Sequence, residues 1–253
     1  MNPEPDLFLG GRLRLFQPPR GGHRAGTDAV LLAHLIAPGP GERVCDVGAG
    51  TGAVGLACTV LAPGCRVVLV ERAREVADMA RRNVALNGLA DRVETIEADV
   101  LASGADRRAA GLLPDLADIV LTNPPFFEPG RHRPSPNAER AAAHDVSAGG
   151  LDGWLRTCTD LLRPGGRLGL IHRADALQAC LDGLRGRFGA IAVRPVQARA
   201  ERPAIRILIR AVKGSRAPLG LLPALVLQDR DGRFTAEAEA LHRGERWPRT
   251  EPA

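Results

Sequence analysis

The stretch RVCDVGAGTGAVGLACTVLA, residues 43–62, decides the fold. Arg43 to Val47 is a short apolar run of strand type. Gly48, Gly50 and Gly52 then fall within five residues, and an apolar helical segment follows. Such glycines reach positive φ and let a ligand approach the backbone, while the free N–H groups of the next helix favour an anion. Taken alone the turn is ambiguous. Gly48-x-Gly50-x-x-Ala53 satisfies a permissive dinucleotide fingerprint, and a glycine turn also serves plain chain reversal.

The alternation continues outward from this unit. CRVVLVE (65–71) is a buried-type strand, and AREVADMARRNVALNG (73–88) an amphipathic helix carrying Val76, Met79, Val84 and Leu86, with Asn87-Gly88 as its stop. RVETIEAD (92–99) and DIVLTN (118–123) are further strands, followed by the helical LDGWLRTCTDLL (151–162). GRLGLIH (166–172), a helix over 174–187, and the strands AIAVRPV (190–196) and AIRILIRAV (204–212) complete the series. Strands alternating with helices predict an α/β, Rossmann-like, doubly wound and mostly parallel seven-stranded sheet with helices on both faces. Residues 1–42 read as a loop leading into a helix within HRAGTDAVLLAHLIA (23–37). Residues 127–149 form a polar, proline-rich insertion, and the last ten, GERWPRTEPA, a frayed tail.

A chain of 253 residues, 45% hydrophobic, can bury a sizeable core. The net charge of +5 is carried by arginine, Lys213 being the only lysine. Arginine suits phosphate contact, but the excess also fits a compositional bias and is weak support for a nucleic-acid partner. Cys45, Cys58, Cys65, Cys158 and Cys180 form no CxxC pair and sit among apolar residues. They read as small buried hydrophobes in a reducing compartment, with no metal site. MNPEPDLFLGG lacks the pattern of a signal peptide, and AVLLAHLIA is too short to span a bilayer, so a cytoplasmic protein is expected.

The carboxylates narrow the reading of the glycine turn. Asp46 precedes the first glycine by two residues and is expected to face the ligand. Glu71 ends the second strand of the series, where a carboxylate accepts from ribose hydroxyls, and Asp99 ends the third, within reach of an adenine amino group. Three acids at adjacent strand ends are poor company for a pyrophosphate and suit a cationic sulfonium. S-adenosylmethionine is expected before NAD.

The fourth strand stops on Asn123-Pro124-Pro125-Phe126. DVGAGTG, Glu71, Asp99 and this NPPF tetrapeptide together resemble class I S-adenosylmethionine-dependent methyltransferases that modify a planar amino group. An exocyclic amine is a poor nucleophile because its lone pair is delocalised. The Asn123 side-chain oxygen and the Pro124 carbonyl can each accept one N–H and aim the lone pair at the methyl group. Pro124 and Pro125 fix the carbonyl, and Phe126 offers a stacking face. HRAGTDAVLLAHL, the charged insertion and LVLQDRDGRFTAEAEALHRGE further resemble the bacterial adenine-N6 methyltransferases acting on valine tRNA. That resemblance implies one methyltransferase domain with an N-terminal extension (1–42), a core (43–213) and a C-terminal extension (214–253). It also implies that the segment with Thr27 and Asp28 closes over the cofactor, with Arg24 and His23 nearby, and that the partner is RNA, specifically tRNA. Phe126 stands where many relatives have Tyr.

Three other readings share parts of this pattern: an rRNA guanine-N2 methyltransferase, a protein glutamine N-methyltransferase, and a non-catalytic module that binds S-adenosylmethionine and RNA. The guanine enzymes are typically longer and duplicated, and the glutamine enzymes carry a longer leading domain than the 42 residues here. A DNA adenine methyltransferase lacks room for target recognition. Arg131, His132, Arg133 and Arg140 in the insertion, and Arg194, Arg199, Arg202 and Arg206 downstream, form two basic clusters whose default explanation is a solvated face. Phe126 and Phe127 are the aromatics best placed to stack. A monomer is expected.

Overall fold

A computed structural model of the chain describes residues 4–19, 24–125, 150–245 and 247. Its elements run β1 (Asp6–Phe8), β2 (Leu13–Leu15), α1 (Thr27–Leu35), β3 (Arg43–Val47), α2 (Ala53–Leu61), β4 (Arg66–Glu71), α3 (Arg74–Leu86) and β5 (Val93–Glu97). They continue as α4 (Gly104–Ala109), β6 (Ala117–Thr122), α5 (Gly150–Leu161), β7 (Leu162–Arg173), a 3₁₀ turn (Ala174–Ala176), α6 (Leu177–Leu184), β8 (Phe188–Gln197) and β9 (Ala204–Lys213). The two-residue strands β10 (Gly220–Leu221) and β11 (Leu225–Val226) precede α7 (Ala236–His242).

The main sheet has the order β10-β8-β9-β7-β6-β3-β4-β5, with β11 also on β8. Pairing is parallel except at β9, which runs antiparallel to β7 and β8. The order reverses at β3, which lies between β4 and β6, so the crevice beyond their carboxyl ends is the natural ligand position. Seven strands match the expected series. The sheet nevertheless has nine, because β10 and β11 extend it at the β8 edge. A small antiparallel hairpin, β1–β2, precedes α1 where only a loop was expected.

Alternation along each strand builds two cores. Val44, Leu69, Ile119, Leu121 and Leu208 face α1, α2 and the Ala80–Val84 stripe of α3. Val47, Val70, Val120, Leu168, Leu170 and Ile209 face Trp154, Leu155 and Cys158 of α5 and Cys180 and Leu184 of α6. All five cysteines are buried and free within these layers. Among the described residues no helix is long and apolar enough to cross a membrane.

The chain end is anchored rather than frayed where it is described. Glu245 N–H donates to Ala240 O at 2.9 Å, and Trp247 packs on the core of α1 and α2. The Arg194 guanidinium lies 4.9 Å from the Trp247 ring centroid, and the indole N–H donates to Glu237 at 2.9 Å. Burial lowers the Arg194 pKa, so this arginine is a structural cation and not part of a solvated basic face. Trp247→Ala should cost about 2 kcal/mol of stability in chemical denaturation, since it strips the ring from a desolvated guanidinium.

Candidate active site

Strand register places the expected site residues along one sheet edge. Val47 of β3 pairs with Val70 of β4 and with Thr122 of β6. Gly48, Glu71 and Asn123 therefore emerge side by side at the carboxyl ends of three neighbouring strands. Glu71 pairs with Glu97 of β5, which brings Asp99 to the same edge two residues further on.

The turn is built on positive φ: 74° at Gly48, 56° at Gly50 and 86° at Gly52. The three glycines serve different ends. A side chain at Gly48 would lie 2.9 Å from the Trp154 ring, and one at Gly52 2.9 Å from Leu69, so both are needed for packing. A side chain at Gly50 would meet nothing within 4 Å, which leaves its Cα side open towards the crevice. The N–H groups of Gly48 and Ala49 donate to Val70 O at 2.9 Å each, holding the turn to β4.

Glu71 spans the crevice base. Its Oε2 accepts from Gly50 N–H at 3.0 Å and its Oε1 from Ala73 N–H at 2.9 Å. A carboxylate has about four lone-pair sites, so both oxygens keep acceptor capacity for hydroxyls of a ligand. Asp99 Oδ1 accepts from Leu101 N–H at 2.8 Å, and Oδ2 lies 4.0 Å from Arg72 Nη1. Asp46 departs from expectation. It is 2% exposed, lies on the α2 side of the sheet, and accepts from Gly55 N–H at 2.9 Å, so it braces the start of α2 instead of facing the crevice. Burial, with a smaller contribution from Glu71, pushes its pKa up to about 7 against the Gly55 hydrogen bond.

At the end of β6, Asn123 is half-buried, Pro124 buried and Pro125 exposed. Thr122 just before them is fully buried, donating from Oγ1 to Val47 O and accepting from Trp154 Nε1–H, both at 2.9 Å. The β6–β7 register ends with Thr122 opposite Leu170, and β7 runs on through His172 to Arg173. His172 Nδ1 accepts from Arg173 N–H at 2.9 Å, and burial lowers its pKa.

Thr27 and Asp28 have partners on α7 and β9. Thr27 Oγ1 lies 3.3 Å from His242 Nε2 of α7, and Asp28 pairs with Arg206 of β9 at 2.9 Å. Arg206 is opposite Arg173, so this corner lies where β7 ends beside β9. Arg24 is paired with Asp6 of the hairpin. Phe126, Phe127, Arg131, His132, Arg133, Arg140 and His23 lie outside the described residues. Among the described residues no group of three or more His, Cys, Asp or Glu is arranged to hold a metal ion.

The sequence reading missed Trp154, Thr122, His172 and Asn83. Asn83 is wholly buried on α3, its amide donating to Thr51 O inside the turn at 2.9 Å. The available signal was a polar side chain on the same helix face as Ala77, Ala80 and Val84.

Comparisons with known proteins bear on the family and the fold. Residues 24–195 match the model of the methyltransferase small domain family. The chain is 30% identical over 197 residues to the tRNA1(Val) (adenine(37)-N6)-methyltransferase of Aeromonas hydrophila subsp. hydrophila, covering 76% of this chain and 77% of that one. It is 31% identical over 159 residues to the enzyme of that name from Porphyromonas gingivalis, where the chain spans 60% of the relative's length. Among solved structures, a predicted O-methyltransferase, protein Atu636 from Agrobacterium tumefaciens, superposes with a TM-score of 0.74. It is 31% identical, over 88% of this chain and 100% of that one.

The buried acid under the turn gives a pH test. The folded state holds the Asp46 proton up to about pH 7, against an ordinary 3.8. Its contribution is fully present below about pH 4 and is lost as pH rises through about 7. Asp46→Asn, which keeps an acceptor for Gly55, should make stability fall less between pH 5 and pH 8 than in the parent. An equal loss of stability between pH 5 and pH 8 in parent and variant, read from urea denaturation midpoints, would contradict the assignment.

Proposed function

The chain belongs to the methyltransferase small domain family, and from that premise we propose that it transfers a methyl group from S-adenosylmethionine to the N6 amino group of an adenine in tRNA. The observation that carries the reading is the placement of Asn123 and Pro124 at the end of β6, one strand from the open Gly50 and two from Glu71. The relatives named for tRNA adenine-N6 methylation support the choice of acceptor.

The site fits the cofactor in its donor set. Gly50 leaves room for close backbone approach, Glu71 offers acceptors for ribose hydroxyls, and Asp99 can accept from the adenine amine. When bound, S-adenosylmethionine supplies an electrophilic methyl group on a sulfonium. The residues of this chain then have one task, to present a nitrogen lone pair to it. Asn123 Oδ1 and the Pro124 carbonyl accept the two N–H groups of the amine, which favours the pyramidal nitrogen and fixes its aim. No base is required before transfer, because the nitrogen loses its extra proton afterwards. Two acceptors match an NH₂ group; a hydroxyl acceptor, as the name of the Agrobacterium tumefaciens protein would suggest, brings only one hydrogen. An adenine already unpaired in a tRNA loop costs little to bring in. We read the protein as one domain acting as a single copy in the cytoplasm, with residues 1–42 and 214–253 as extensions of the 43–213 core.

Asn123→Ala should lower kcat on tRNA by about 10²-fold or more while S-adenosylmethionine affinity stays within about twofold. A near-parental kcat would remove the proposed mechanism. Mass spectrometry of tRNA nucleosides from cells lacking the protein should show loss of N6-methyladenosine. Labelled methyl groups entering only protein or only rRNA fractions would move the assignment to the glutamine or guanine reading. Gly50→Val should abolish cofactor binding in calorimetry, by filling the open side of the turn and straining a positive-φ position.

A further inference from the structure

Helix α3 holds the N-terminal extension as a sheet edge would, using two asparagine side chains. Asn83 Oδ1 accepts from Phe16 N–H at 2.7 Å, and Asn83 Nδ2 donates to Phe16 O at 3.0 Å. One helical turn on, Asn87 repeats the pattern with Arg14: N–H to Oδ1 at 3.0 Å and Nδ2 to O at 2.7 Å. Positions 83 and 87 lie on one face of the helix, and residues 14 and 16 on one edge of an extended chain, so the two spacings match. The guanidinium of Arg82 covers the Phe16 ring at 4.8 Å.

The two asparagines differ in one respect. The second Nδ2 contact of Asn87 returns to its own helix, at Asn83 O. That of Asn83 crosses to Thr51 O, in the glycine turn between Gly50 and Gly52. Asn83 is wholly buried; its Oδ1 and Nδ2 both pair with Phe16, and Nδ2 alone also reaches the turn. A single side chain thus joins α3, the extension and the turn.

We propose that Asn83 is a positioning residue for the cofactor: it sets the Thr51 peptide, and with it the Gly50–Gly52 turn, only when the extension is docked at residue 16. The inference rests on the reading that S-adenosylmethionine binds at this turn. Coupling is then reciprocal. Docking of the extension raises cofactor affinity, and the cofactor tightens docking by the same factor. Asn87 shares the docking role but makes no contact with the turn, so it serves as the internal control.

The first experiment uses the unaltered protein. Amide hydrogen exchange with and without saturating S-adenosylmethionine should show Arg14 and Phe16 slowed by the ligand, since their N–H groups end on Asn87 and Asn83. If the cofactor binds and slows the turn but leaves Phe16 unchanged, the coupling is absent and the inference fails. If no binding is seen at all, it is the cofactor reading that fails. The second experiment compares variants by calorimetry and steady-state kinetics. Asn83→Ala should raise the Kd and KM for S-adenosylmethionine about tenfold with kcat at saturation within about twofold. Asn87→Ala removes the contact at Arg14 but leaves the Asn83 bonds to Phe16 and Thr51 in place, and should raise Kd by no more than about threefold. Equal effects of the two substitutions, or a fall in kcat at unchanged Kd, would overturn the proposal. Should Asn83→Ala not fold, the exchange result decides alone.

Discussion

The Thr122 hydroxyl is the point on which the site depends. Oγ1 receives the indole N–H of Trp154 and gives its own proton to Val47 O, all three groups being buried. A typical hydrogen bond nets only about 1 kcal/mol, but an indole N–H or carbonyl left unpaired in this layer would cost about 1–3 kcal/mol. The chain of two bonds therefore fixes the spacing of β3 and β6 where both end. Gly48 and Asn123 continue directly from those ends. The Trp154 ring also occupies the space that a side chain at residue 48 would need. One indole thus dictates a glycine in the turn and holds the strand that ends on Asn123 and Pro124.

Preorganisation accounts for the placement of the acids. Glu71 arrives at the crevice with both oxygens already engaged by backbone N–H groups, so its carboxylate is oriented before any ligand comes. Asp99 is held in the same way by Leu101 N–H. A carboxylate held in this way has little side-chain entropy left to lose. Asp46 is the exception. It uses its oxygen to brace Gly55 at the start of α2 and bears the desolvation that this requires.

Strand and helix order was legible because both faces of the sheet are covered. Strands such as Arg66–Glu71 read as unbroken apolar runs, and the turn and tetrapeptide announce themselves by glycine and proline. Short elements were not legible. The three-residue strands β1 and β2, the six-residue α4 and the two-residue β10 and β11 are shorter than the period any pattern needs. Side-chain direction was hidden as well. Asp46 stands in the expected position, but strand alternation sends it towards α2, and no local signal reveals which face a sheet packs first. Thr122 and Trp154 looked like ordinary core, since their role lies in partners 32 and 75 residues away. Asn83 was hidden by convention: an amide in an apolar stripe reads as a blemish until the backbone it serves is known.

Those hidden residues share a logic. The glycine turn must stay open on its ligand side, so it cannot be stabilised from there, and its support comes from behind. Trp154 packs under Gly48 from the face occupied by α5, while Asn83 grips Thr51 O from the face occupied by α3. Displacements of about 1 Å at reacting groups cost rate steeply. A turn held on both faces by buried partners is therefore as much a part of the chemistry as the residues that touch the ligand. The motif names the residues that must be absent or small, and the packing names those that keep them in place. The second set is spread over α3, β6 and α5, so the site is a property of the folded sheet edge and not of any one segment.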